Sequence, residues 1–306
     1  MAAILFSFPN YEHLARPLAA LTGVRPGQFA ITRFDNQELC ARVETPVSGQ
    51  ACFLLGTVAP PDEQMLSLML LAHTLKKDGA SRVTGILPYL GYSRQDKNKS
   101  GESLAAAWLG AALDVSGCDD VLTVDVHSAR DAAWFPIPLV SLPMADLFAA
   151  AIRQSRLMDA TVVAPDNGAI PRCEAVKRAA GMPVAETPYF EKRRTLQGIT
   201  HEGPIGRVGR RVVIIDDILD TGGTLISACE KLRAAKVEEI YILVTHGLFT
   251  GTLWKRLWAL GVKRILCTDT VPLPAGLESD QITVLSVAPL LSESVSVMLN
   301  KPGEEK

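Results

Sequence analysis

The chain has 306 residues, 48% hydrophobic and 21% charged, with 31 basic against 33 acidic side chains. That length holds two ordinary domains or one large one. The apolar content excludes a disordered chain, and 23 glycines and 19 prolines exclude collagen-like and low-complexity classes. A net charge of −2 gives no general footing for nucleic acid or an anionic membrane, so affinity for phosphate must come from local sites.

In chain order, Met1 to Asn10 is apolar but lacks a basic leader, and a secretory signal is not expected. Short runs rich in Val, Ile and Leu then alternate with longer amphipathic stretches. Strands are expected at Cys52–Leu55, Arg82–Leu87, Asp120–Val126, Thr161–Ala164, Arg211–Ile215, Glu239–Val244 and Arg264–Cys267. Between them, helices are expected over Pro61–Asp78, Glu102–Ser116, Met144–Ser155, Pro171–Ala180, Thr224–Ala235 and Gly251–Leu260. This alternation implies β-α-β units and parallel sheets, whose buried strands read as continuous apolar runs.

The softest division lies at Pro136–Pro143, where three prolines interrupt the rhythm, and it places a first domain over 1–143 and a second over 144–306. Each half holds a similar alternation, compatible with duplicated architecture. The fold class is α/β in two lobes. Ser93–Gly101 and the basic, glycine-containing Glu191–Arg211 read as mobile loops. Six scattered cysteines without a C-x-x-C pair form neither a disulfide framework nor a zinc pattern. No apolar run approaches the roughly 18 residues of a membrane span. A soluble cytoplasmic protein that binds neither membrane nor nucleic acid is expected.

The chemistry concentrates in Arg211 to Leu225, "RVVIIDDILDTGGTL". An apolar strand ends in Asp216 and Asp217, and Asp220, Thr221, Gly222, Gly223 and Thr224 turn into a helix. Glycines let backbone N–H groups converge on an anion, and the helix N-terminus adds partial positive charge. The two acids suit ribose hydroxyls and a bridging Mg²⁺. One short loop can thus hold both ends of a ribose 5-phosphate. No G-x-G-x-x-G follows a strand and no G-x-x-x-x-G-K-[ST] occurs, which disfavours simple dinucleotide and P-loop ATP sites.

This loop resembles the phosphoribosyl-diphosphate (PRPP) motif of type I phosphoribosyltransferases and ribose-phosphate pyrophosphokinases. Other segments separate the two. "LPYLGYSRQDK" at Leu87–Lys97, "LTVDVHS" at Leu122–Ser128, "VVAPDNGAI" at Val162–Ile170, "FEKRR" at Phe190–Arg194 and "RFDNQE" at Arg33–Glu38 are similar to successive signatures of the ribose-phosphate pyrophosphokinase family. The likeness runs from about Ile31 to Pro274, in the family's order, and includes an N-terminal lobe that the transferases lack.

The resemblance implies two phosphoribosyltransferase-like lobes and Mg²⁺-dependent transfer of a diphosphoryl group from ATP to O1 of ribose 5-phosphate, leaving AMP. Its implied roles fall on particular residues. Arg94, Gln95 and His127 would hold Mg-ATP; Phe34, Asn36 and Glu38 would read adenine in a neighbouring subunit's site, which makes a homo-oligomer part of the expectation. Asp166, with His127, would serve the metal. Lys192 and Arg194 would be catalytic, stabilising charge on the transferred group, and the 216–224 loop would hold ribose 5-phosphate.

The chain also departs from the family. Pro136 and Val140 stand at frequently acidic places, Asn36 where aspartate is common, and "NKSGESLAA" replaces an Arg-rich stretch. These changes bear on phosphate activation and ADP inhibition more than on catalysis. The competing readings are a non-catalytic regulatory homologue and a transferase that consumes PRPP.

Overall fold

The computed structural model describes residues 3–126, 131–183, 186–195, 198–274, 276–277 and 279–300, with backbone alone at 131, 192–195 and 198–201. Two compact units emerge. One ends at Leu142 and is rejoined from Ser286 onward; the other is Pro143–Leu285.

The first unit begins with β1 (Ala3–Ser7), α1 (Glu12–Thr22), the short β2 (Arg25–Pro26), and an antiparallel hairpin of β3 (Phe29–Arg33) and β4 (Leu39–Val43). It continues through β5 (Ala51–Leu55), α2 (Asp62–Lys77), β6 (Arg82–Leu87), α3 (Ala105–Val115), β7 (Asp120–Val124), α4 (Asp131–Trp134) and β8 (Leu139–Leu142). The sheet order is β2-β1-β5-β6-β7-β8, and every pairing is parallel. Ile4, Leu54, Val83 and Val121 are fully buried, as continuous apolar strands between helices must be. Asp62 and Glu63 open α2 while Lys76 and Lys77 close it, matching the helix dipole at both ends.

The second unit holds α5 (Ala145–Gln154), β9 (Thr161–Val163), α6 (Ile170–Ala180), an antiparallel ribbon of β10 (Tyr189–Thr195) and β11 (Gly198–Ile205), then β12 (Arg211–Leu219) and α7 (Gly223–Ala234). It ends with β13 (Glu239–Gly247), α8 (Arg256–Ala259), β14 (Val262–Thr268) and β15 (Ile282–Leu285). These form a parallel sheet in the order β15-β14-β13-β12-β9. The last helix, α9 (Ala288–Asn300), belongs to the first unit and packs on α1, much as α5 packs on α6 in the second.

The expected duplication is visible as topology. The run β1-β5-β6-β7-β8 corresponds to β9-β12-β13-β14-β15, and each unit inserts a two-stranded hairpin between its first two core strands. All seven expected strands are present. Two expectations need correction. Glu191–Arg211, read as a loop, is largely the β10–β11 ribbon: cross-strand hydrogen bonds organise a polar segment that carries no apolar alternation. Gly251–Leu260, read as one helix, is a 3₁₀ turn at Leu253–Lys255 followed by four α-helical residues. Here Trp254 is buried against Phe249, which fixes a tight turn in place of a full helix.

Candidate active site

The acid and glycine residues expected to work together come together at the C-terminal end of β12, where open α/β sheets place ligands. Asp217 is 7% exposed. Its backbone N–H donates to Asp216 Oδ1 at 3.0 Å, so the two carboxylates share one strand end. Asp216 keeps some accessible surface, but its carboxyl is crowded by protein. Burial first, then the Asp217 carboxylate, pushes the Asp216 carboxyl well above the usual range; Arg172 opposes this and Asp166 adds to it.

The following turn is built for close approach. Gly222 has φ +87 and caps α7, and a Cβ there would lie 2.8 Å from Trp254 Cα. Gly223, the first residue of α7, would meet nothing within 4 Å. One glycine is therefore required by the protein's own packing, while the next leaves open space at a helix N-terminus. Thr221 is exposed, and Asp220 and Thr224 are partly exposed around that space.

Asp166 lies beyond β9, next to β12 in the sheet. Its Oδ1 accepts the Ala169 N–H at 3.2 Å, capping a 3₁₀ turn over Asn167–Ala169 that leads into α6. Arg172, in the first turn of α6, was not anticipated. Its guanidinium is 3.9 Å from Asp217 Oδ2. The available signal was a cation at a helix N-terminus, where the dipole disfavours it unless it serves a neighbour.

The donor set suits a hard divalent cation. After burial, the Asp217 and Asp166 carboxylates both push the Asp216 carboxyl further up, and Arg172 opposes them. Among the described residues no group of three or more such side chains could hold a metal alone. Mg²⁺ characteristically takes one or two carboxylates and completes its shell with water and substrate phosphate.

The hairpin bearing Phe34, Asn36 and Glu38 and the segment bearing Arg94 and Gln95 are both tied to the start of α2. Phe34, Asn36 and Glu38 form the tip of the β3–β4 hairpin, and Phe34 is 57% exposed. Asn36 Oδ1 accepts the Glu38 N–H at 3.2 Å, shaping the turn. Arg33, at its base, pairs with Glu63 at 2.7 Å, and the Tyr92 hydroxyl donates to Asp62. One helical turn thus tethers both the hairpin and the segment bearing exposed Arg94 and Gln95. Gln95 Oε1 accepts from the Ser103 hydroxyl and borders a cavity of about 420 Å³ lined also by Met65, Leu104 and Trp108. The backbone of Lys192 pairs with His201, and that of Arg194 with Ile199, on the ribbon; their side chains and His127 lie outside the described residues.

The fold and this strand-end loop define a class: an α/β protein of two phosphoribosyltransferase-like lobes. Residues 3–117 match the N-terminal domain of ribose phosphate pyrophosphokinase, and residues 166–304 match the phosphoribosyl synthetase-associated domain. The ribose-phosphate pyrophosphokinase of Oceanobacillus iheyensis is 30% identical over 295 residues, covering 95% of this chain and 92% of that protein. That of Bacillus caldolyticus is 29% identical over 296 residues, with 95% and 93% covered. The crystal structure of phosphoribosylpyrophosphate synthetase from Mycobacterium smegmatis superposes with a TM-score of 0.87 at 27% identity, covering 98% of this chain and 100% of that one. The chain belongs to the ribose-phosphate pyrophosphokinase family.

Proposed function

We infer that the protein transfers the β,γ-diphosphoryl group of ATP to O1 of ribose 5-phosphate, giving AMP and PRPP. The observation that carries this reading is the acidic strand end joined to an open glycine turn at a helix N-terminus, in a chain of this family. Gly222, Gly223, Thr221 and Thr224 bind the 5-phosphate through backbone amides and hydroxyls, while Asp216, Asp217 and Asp220 bind the ribose hydroxyls. Arg94 and Gln95 hold the nucleotide, with His127; Phe34, Asn36 and Glu38 of a neighbouring copy read its adenine. The exposure of Phe34 supports that last assignment, since a free apolar tip gains from being covered.

O1 attacks the β-phosphorus, the bond from that phosphorus to the α,β-bridging oxygen breaks, and AMP leaves with that oxygen. Lys192 and Arg194 neutralise charge growing on the transferred group; phosphoryl chemistry needs mainly positioning and such neutralisation. Mg²⁺ would be held by Asp166, with His127, and by substrate phosphates, supplying further charge neutralisation when bound. A cytoplasmic location fits six free cysteines, five of them buried. Among the described residues no helix is long and apolar enough to cross a membrane.

The test is incubation with ATP, Mg²⁺ and ribose 5-phosphate, with products identified by phosphorus NMR. AMP plus a C1 diphosphate is expected. ADP plus a sugar bisphosphate would make the protein an ordinary kinase, and binding without turnover would make it a non-catalytic homologue.

A further inference from the structure

The most unusual buried charge in the second unit lies outside the loop and the acid pair. Lys177, in the third turn of α6, is only 6% exposed. Burying an ammonium costs free energy unless it is hydrogen-bonded. Its Nζ reaches Thr187 Oγ1 at 3.3 Å, and Thr187 is itself 2% exposed. Thr187 stands two residues before the ribbon, since β10 begins at Tyr189.

The surrounding backbone is fastened at the same point. The Ala164 N–H donates to Pro188 O at 2.9 Å, and Ala164 bridges Tyr189 in parallel. Ala164 stands two residues before Asp166. Phe190 is completely buried in the core. Where β11 ends, on the same side as the start of β10, Gly206, with φ +98, lies beside Pro188, and an added Cβ there would be 3.3 Å from Pro188 Cα. The root of β10–β11 is therefore gripped by β9 through the backbone and by α6 through a side-chain ammonium; the ribbon forms a separate two-stranded sheet whose second strand, β11, packs on α7. A two-stranded ribbon has little stability of its own, so its orientation is set by what holds it: α7 against β11, and the root for β10, the strand that carries Lys192 and Arg194.

We propose that Lys177 is a positioning residue for the reaction: its bond to Thr187 fixes the root of the β10–β11 ribbon and so the placement of Lys192 and Arg194. This rests on the assignment of those two residues as catalytic. A lysine serving only to fill space would be replaced without loss by an unbranched apolar side chain of similar length. A lysine serving as an anchor would not.

Steady-state kinetics on K177M, T187V, T187S and the K177M/T187V double variant separate these cases. We expect K177M and T187V each to lower kcat by about tenfold or more, with KM for ribose 5-phosphate within about twofold of wild type at a temperature where each variant is folded. T187S, which keeps the hydroxyl, should retain wild-type kcat, and the double variant should lose less than the two single losses multiplied together, because both side chains share the bond that is removed. T187V carries the test if K177M fails to fold. Unchanged kcat in both single variants, additive losses, or equal loss of kcat and substrate affinity would overturn the proposal. If the wild-type protein itself forms no PRPP, the catalytic assignment has failed instead. Amide exchange along 189–195 and 198–205 then decides the anchor alone: faster exchange in K177M supports it, and unchanged exchange refutes it.

Discussion

At the scale of single residues, Asp216 sets a conflict between stability and function. A carboxyl held above its usual range in the folded state contributes stability below its unfolded pKa and loses it as pH rises through the folded one. The ligand-free protein should therefore lose stability from the ordinary carboxylate range upward on account of this group. D216N should remove that dependence and raise the melting temperature at neutral pH while abolishing ribose 5-phosphate turnover; calorimetry across pH checks it. The adjacent glycines separate two demands in the same way. G222A forces a Cβ into a left-handed position and against the Trp254 backbone, and should destabilise the protein by about 1–3 kcal/mol or more in denaturant titrations. G223A meets no atom and should leave stability intact, yet weaken ribose 5-phosphate binding by occupying the space a phosphate needs.

At the scale of elements, the β10–β11 ribbon shows where periodicity stops being informative. Glu191 to Thr195 is charged and polar throughout, so neither a two-residue nor a 3.6-residue apolar repeat marks it. It is a strand because its backbone pairs with Gly198–Ile205, a cross-strand fact that the composition of either segment alone does not carry. The acid-glycine loop was legible for the opposite reason: its chemistry is contiguous in the chain, and its strand and helix each carry their own signal. Asp217's partner Arg172, by contrast, comes from a different helix. For the ribbon, K192A should lower kcat by about 10²-fold or more while ribose 5-phosphate affinity, read by isothermal calorimetry, stays nearly unchanged. Equal loss of both would make Lys192 a ground-state binder.

At the scale of the whole molecule, the two units exchange helices in the chain. After β8 the chain leaves the first unit for α5 in the second, and after β15 it leaves the second for α9 in the first. Ala288, Leu291, Ser292 and Val295 of α9 are buried at helical spacing, and α1 buries Leu14, Ala15 and Leu18. Removing Ser286–Lys306 should lower the melting transition of the first unit, since burial of Leu291 and Val295 contributes roughly 1.5–3 kcal/mol each, and leave the second unit's transition in place. The exposed Phe34 tip belongs to this scale too. F34A should raise KM for ATP by about tenfold, with stability and KM for ribose 5-phosphate unchanged, because the role proposed for this exposed ring is to stack on a base in another copy and it adds little to its own fold.

By itself the sequence determined the α/β class, the seven core strands named from it, the strand-end loop and the family, because each of these is written in contiguous residues whose period or chemistry is local. The tertiary structure decided what depends on residues in different elements. It turned a basic loop into a paired ribbon and brought Arg172 to Asp217. It returned α9 to the first unit, and it buried Lys177 against Thr187 at the ribbon's root. Pairing, charge compensation and helix docking are interactions between partners, and no local pattern names a partner that arrives from another element.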